Sequence, residues 1–188
     1  MLYNTLGKTG LKVSRLGFGT MRLPTTNSNA DINKQEASEM LTYGIENGIN
    51  IIDTAYPYHS AELDGNGNSE KFLGEYLTEN SLRDEIILQT KSPSWLMEKR
   101  SDFDYYLDIQ LEKLQTDYID IYLLHSLTVP DWNKVRDLGA LDFLDDGLSS
   151  GKIKHVGFSS HIEVDYFIEI LDEYPKWEVA LTQMNYLD

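Results

Sequence analysis

Short apolar runs rich in Ile, Val, Leu and Tyr recur along the chain, with longer amphipathic stretches between them. The runs predict strands near 16–20, 50–54, 86–90, 118–124, 154–158 and 178–183. The stretches predict helices near 34–47, 69–80, 101–115, 132–150 and 162–173. Asn50-Ile-Ile-Asp-Thr54 and Tyr118-Ile-Asp-Ile-Tyr-Leu-Leu124 read as buried on both faces, the pattern of parallel strands covered by helices. In 101–115, Phe103, Leu107, Leu111 and Leu114 share one face, while Asp102, Asp104, Asp108 and Glu112 form a wet one. Ser101 is placed to cap that helix, with Asp102 and Asp104 at the positive end of its dipole. In 34–47 the inward face is Ala37, Met40, Leu41 and Ile45, and Gly48 ends the helix; Gly151 ends 132–150. Ahead of all this, residues 2–14 predict a β-hairpin turning at Lys8-Thr9-Gly10, a lid over one end of a sheet or barrel.

Unbroken alternation of strand and helix points to a parallel α/β domain, either a doubly wound open sheet or a (β/α)₈ TIM-type barrel. The first strand–helix turn, Gly17-Phe-Gly-Thr-Met-Arg-Leu-Pro24, has two glycines and no third, and a polar loop follows it. That is a poor dinucleotide fingerprint, so the barrel gains. The count is short, however: six strands, where such a barrel takes eight strands and about 250 residues. At 188 residues the expectation is one domain, 1–188.

Charge narrows the function classes. Lys and Arg number 16 against 31 Asp and Glu, a formal charge of −15, which argues against nucleic acid as a partner. No run of about 18 apolar residues exists to cross a membrane, and the first residues lack the apolar stretch of a signal peptide. Cysteine is absent, which excludes disulfides and iron–sulfur clusters within these residues and fits a cytoplasmic location.

In barrels of this kind reactive groups gather at the C-terminal ends of the strands. The second strand is followed by Asp53 and, five residues on, Tyr58; the third closes on Lys91 and the fourth on His125. With twelve tyrosines in the chain each group alone is unremarkable, but one fold places all four on one rim. Their chemistry is coherent. An ammonium stabilises a phenolate and lowers a phenol's pKa from about 10. A carboxylate keeps that ammonium charged and aimed, and a neutral imidazole can orient a carbonyl oxygen. Together they suit protonating an oxyanion as hydride reaches a carbonyl carbon.

These residues sit in motifs that resemble the aldo-keto reductase family. The motifs are Leu6-Gly-Lys-Thr-Gly-Leu-Lys-Val-Ser-Arg-Leu-Gly-Phe-Gly-Thr-Met21, Asn50-Ile-Ile-Asp-Thr-Ala-Tyr-Pro-Tyr58, Asn68-Ser-Glu70, Thr90-Lys91, Asp117-Tyr-Ile-Asp-Ile-Tyr-Leu-Leu-His125, Gly151-Lys-Ile-Lys-His-Val-Gly-Phe-Ser159 and Gln183-Met-Asn-Tyr186. The resemblance implies a (β/α)₈ barrel, here incomplete, that reduces an aldehyde or ketone, or oxidises an alcohol, with NADP(H). Tyr58 would be the general acid, with family spacing preferring it to Tyr56. Lys91 would be its pKa modifier, Asp53 the lysine's partner and His125 the substrate orienter. Cofactor contacts are implied for Gly19, Thr20, Met21, Asp53, Ser159, Gln183 and Tyr186. Ser160 stands where much of the family has Asn, a shorter group at the carboxamide. The nearest branch often carries a C-terminal iron–sulfur module, for which these residues have no ligands.

The resemblance stops at Asp188, before strands seven and eight and the main sites for the cofactor's phosphates. Either a longer protein supplies them, or a partner or second copy covers the open strand edges through self-association. The alternative to an enzyme is an inactive barrel fragment or a binding or regulatory component.

Weaker signals remain. Asp64-Gly-Asn-Gly-Asn68 imitates a calcium loop, but Ser69 stands where that loop needs Gly, so it reads as a turn leading to an Asn68 or Ser69 cap. His59, His155 and His161 lack metal-ligand spacing, and no metal is expected. Trp95 either lines a substrate pocket or anchors its loop.

Overall fold

The computed structural model describes residues 1–62 and 65–184. Its chain order follows the hydrophobic pattern closely. After a hairpin of β1 (Tyr3–Thr5) and β2 (Lys12–Ser14) come β3 (Phe18–Gly19), α1 (Lys34–Glu46), β4 (Ile51–Asp53), α2 (Ser69–Glu79), β5 (Ile87–Ser92) and α3 (Arg100–Leu114). Then follow β6 (Ile119–Leu127), α4 (Val129–Asp137), α5 (Ala140–Ser150), β7 (Ile153–Ser160), α6 (Val164–Glu173) and β8 (Val179–Thr182). Strands β3 to β8 form one parallel sheet in sequence order, each next to the strand that follows it. With helices on its outer side the sheet curls into six strands of a barrel, the incomplete TIM-type architecture the sequence predicts. β3 and β8 are its edges among the described residues.

The core lies between sheet and helices. Leu88, Tyr122, Leu124, Val156 and Phe158 from the strands meet Leu73, Phe103, Leu107, Phe143 and Leu144 from α2, α3 and α5. The face predicted for α3 is the one buried. Its cap differs. The helix starts at Arg100, and Asp102 Oδ2 accepts the backbone N–H groups of Glu98 and Lys99. Ser101 lies inside the first turn, because the longer reach of Asp102 already holds the preceding donors.

Two other expectations are corrected. The 132–150 helix is two helices. Thr128 caps α4 through Asp131 N–H, and Pro130 occupies the first turn, where its missing N–H costs nothing. Gly139 then takes φ +88°, which separates α4 from α5. Met40 of α1 is exposed, not inward, and with Leu16, Phe18 and Tyr43 it lines an apolar groove beside the β3 edge. No described residue covers that flank.

The hairpin closes the N-terminal end of the sheet, as a lid should. Asn50, just before β4, accepts Ser14 N–H and donates to Lys12 O, while Tyr3 OH donates to Gly48 O. The opposite, C-terminal end is left open. At the strand starts Arg83 acts as a clamp: it pairs with Asp120 at 3.0 Å and donates to Ile86 O and Tyr118 O.

Candidate active site

The open end carries the four titratable groups. Asp53 ends β4, and its carbonyl accepts both the N–H and the hydroxyl of Thr20, which ties the turn after β3 to β4. Lys91 lies on the inner face of β5 and is 1% exposed. Its Nζ donates to Asp53 Oδ2 at 2.7 Å, Thr54 O at 2.8 Å and Tyr58 OH at 3.0 Å. Three acceptors meet the three hydrogens of an ammonium, which is what a buried cation requires.

Tyr58 sits on the loop between β4 and α2, and its backbone is held from both sides. Tyr58 N–H donates to Ala55 O, and Ser69 N–H donates to Tyr58 O. Gly67 packs directly on this turn: a Cβ there would lie 2.0 Å from Tyr58 O. Gly67→Ala is therefore expected to destabilise the fold by about 1–3 kcal/mol, read as a lowered urea midpoint with unchanged slope.

His125 stands where the register of β6 against β7 shifts, between Leu124 and Leu127. Its N–H donates to Ser94 Oγ at 3.0 Å, and the next residue, Ser126, has φ +51° and donates its N–H to Ser159 Oγ. The imidazole lies edge-on to Tyr58, ring centres 6.0 Å apart, and 5.4 Å from the Trp95 ring. Burial, the Lys91 ammonium and His161 push its pKa down to about 3. The ring is thus neutral near pH 7. Its Nδ1 is buried with no partner among the described residues. An unpaired N–H buried there would cost more than a bare acceptor, so the hydrogen belongs on Nε2, the nitrogen left to the cleft.

The cleft has a volume of about 950 Å³, and Met21, Arg22, Tyr58, Trp95, His125 and His161 are among its walls. Trp95 thus lines this cleft. His59 is buried, its Nδ1 2.7 Å from Asn29 O and its Nε2 accepting Leu23 N–H. That pattern makes it a strut that holds the loop between β3 and α1. His155 pairs with Glu178 at the sheet's other end.

Of the remaining residues singled out by sequence, Gly19, Thr20, Met21, Ser159, Ser160 and Gln183 stand at or just past the C-terminal ends of β3, β7 and β8. Gly19 and Asp53 are register partners. Thr20 is buried, donating to Asp53 O and accepting from Ser69 Oγ, while Met21 is exposed at the mouth. Ser159 Oγ accepts Ser126 N–H and donates to no described residue. Ser160 Oγ donates to Leu127 O and accepts Ile162 N–H, so its one hydrogen is committed. Gln183 follows β8 and is exposed. Tyr186, and Asp64 of the calcium-like stretch, lie outside the described residues. Asn68 holds the position before α2 but makes no side-chain cap; its Nδ2 donates to Ala30 O instead.

Two sets of residues were not assigned roles from sequence. Gln89 donates to Asp53 Oδ1. Glu70, fully buried, pairs with Lys113 and accepts from Thr90 and Gln110, and Gln110 Nε2 also donates to Lys91 O. A polar residue at every second position of a strand that faces a barrel interior was the available signal for Gln89. Glu70 and Gln110 carry no comparable signal, since each looks like the polar face of an amphipathic helix.

A family model described as the aldo/keto reductase family matches residues 15–188. Among curated proteins, Protein tas of Escherichia coli is 29% identical across 99% of this chain and 60% of its own length. The NADH-specific methylglyoxal reductase of Escherichia coli is 28% identical across 97% of the chain and 59% of its own length. Among solved structures, a putative aldo-keto reductase from Pseudomonas aeruginosa superposes with a TM-score of 0.79 at 26% identity, over the whole of this chain and 69% of that one. The holo form of an aldo-keto reductase from Bacillus halodurans gives 0.76 at 28%, over 98% and 58%. The chain thus spans about 60% of the length of these two curated relatives.

Proposed function

This chain belongs to the aldo/keto reductase family, and from that premise we propose that it moves hydride between NADP(H) and an aldehyde or ketone, or the reverse from an alcohol. The observation that carries the reading is the Lys91 ammonium bonded at once to Asp53 and to Tyr58. Tyr58 OH accepts from Lys91 and donates to no described residue, so its own hydrogen is available to a group in the cleft. A carbonyl oxygen seated there receives that proton, and the phenolate left behind is stabilised by the ammonium 3.0 Å away. Asp53 keeps the ammonium in place. His125, neutral with hydrogen on Nε2, donates to the same carbonyl oxygen and fixes its direction.

The rim fits a nicotinamide. The Ser159 hydroxyl, with its hydrogen uncommitted, and the exposed Gln183 amide would hold the carboxamide. Gly19, Thr20, Met21, Ser160 and Tyr186 would complete the proposed set. When bound, the cofactor supplies the hydride. NADP(H) is preferred on the family resemblance, while a relative named for NADH marks the alternative. A cytoplasmic location is part of the same proposal; among the described residues no helix is long and apolar enough to cross a membrane.

The test is direct. Mixing with NADPH or NADH is expected to quench tryptophan fluorescence at micromolar cofactor, and adding small aldehydes and ketones to consume the reduced form at 340 nm. Folded protein that neither quenches nor turns over would defeat the proposal. A second reading is a component that holds the site without turnover and associates through the β3 and β8 edges, which are unpaired among the described residues. Binding of cofactor without turnover, in a concentration-dependent assembly seen by sedimentation, would support it.

A further inference from the structure

Gln89 is the inner-face residue two positions before Lys91 on β5, and in the parallel register it stands opposite Asp53. It is buried, and its Nε2 donates to Asp53 Oδ1 at 2.7 Å. Lys91 takes the other oxygen, Oδ2, also at 2.7 Å. A carboxylate gripped by one oxygen turns easily about its last torsion, which is broad and two-fold. Two donors on two oxygens fix its plane. The Asp53 side chain is about one quarter exposed, so without Gln89 water would draw the carboxylate away from Lys91.

We propose that Gln89 is a positioning residue: by holding Oδ1 with its amide hydrogen, it keeps Oδ2 on Lys91 and thereby keeps Lys91 on Tyr58. This rests on the reading of Tyr58 as the proton donor. The role demands a hydrogen-bond donor and nothing else of the side chain. Leucine fills similar space and cannot donate. Glutamate donates when protonated and repels Asp53 when it is not.

The experiment compares wild type, Gln89→Leu and Gln89→Glu for kcat, KM and cofactor Kd across pH, with crystal structures of wild type and Gln89→Leu. Loss of one hydrogen bond to a charged group predicts a kcat about 10–100-fold lower for Gln89→Leu, with cofactor Kd close to wild type. Its structure should show Asp53 turned off Lys91 in an otherwise superposable sheet. Gln89→Glu should approach wild-type kcat in acid and lose it reversibly as the proton shared with Asp53 leaves, an added limb in its pH profile. If Gln89→Leu fails to fold, the glutamate variant still compares one folded protein with itself. Wild-type kcat and an intact Asp53–Lys91 contact in Gln89→Leu, or a Gln89→Glu profile without the added limb, would overturn the inference. Should wild type turn over no carbonyl at all, the enzymatic reading fails, while the crystal structures still decide whether Gln89 holds Asp53.

Discussion

Tyr58→Phe is expected to lower turnover by 10²–10⁴-fold while cofactor affinity stays near the wild-type value. The range is the usual worth of one placed general acid. The substitution removes a single oxygen, the one that accepts from Lys91 Nζ. Phenylalanine keeps the ring, so the edge-on contact with His125 and the packing against Lys91 survive. The ammonium keeps Asp53 Oδ2 and Thr54 O as acceptors, which limits the structural damage. The Ser159 and Gln183 contacts proposed for the nicotinamide do not involve Tyr58. Steady-state kcat beside a fluorescence Kd for cofactor separates the two effects. A Tyr58→Phe protein that turns over at the wild-type rate would remove Tyr58 from its role. Equal losses in Kd and kcat would mean that the hydroxyl holds cofactor and not the carbonyl oxygen.

The sequence made the rim legible because strand ends can be read without coordinates. Each of Asp53, Lys91 and His125 closes an apolar run, and parallel strands in sequence order carry such residues to one edge. Tyr58 lies on a loop, and its partnership with Lys91 depends on the backbone bonds from Ala55 and Ser69. Those follow from geometry that no period encodes. The same limit explains the merged α4 and α5. A helical period runs through 132–150, and a single left-handed Gly139 breaks it. Met40 fits the inward face of α1 by spacing, yet whether that face is covered depends on what packs beyond β3. Buried polar partners were the hardest to read. Glu70 and Gln110 follow the pattern of a solvated helix face, but α2 and α3 turn them onto β5, where they bond Thr90 and the carbonyl of Lys91. Polar character in a helix says that a side chain needs partners; it does not say that water is the partner.

Acid should unfold this protein partly through His125, and the effect is large. The imidazole titrates near 6.5 in the unfolded chain and at about 3 in the folded one. Between those values the unfolded chain binds the proton and the folded chain does not, so stability falls as pH drops from about 6.5 and levels off below about 3. The slope is about 1.4 kcal/mol per pH unit, giving roughly 2 kcal/mol lost by pH 5 and on the order of 5 kcal/mol at the acid end. That is a large part of the 5–15 kcal/mol typical of a domain. Carboxylates that are paired in the fold add their own acid dependence, so the measurement is a difference. Urea unfolding of wild type and His125→Leu at pH 7, 6, 5 and 4.5 should show wild type losing stability faster than the variant as pH falls, whichever of the two is the more stable at pH 7. Parallel curves would mean that the imidazole takes its proton in the folded state as readily as in water. The same displacement bears on catalysis, because a ring that stays neutral to about pH 3 keeps its Nε2 hydrogen for the carbonyl throughout the folded range. Loss of turnover on the acid side should therefore track unfolding, and a rate that falls while the protein remains folded would have to come from another group at the rim.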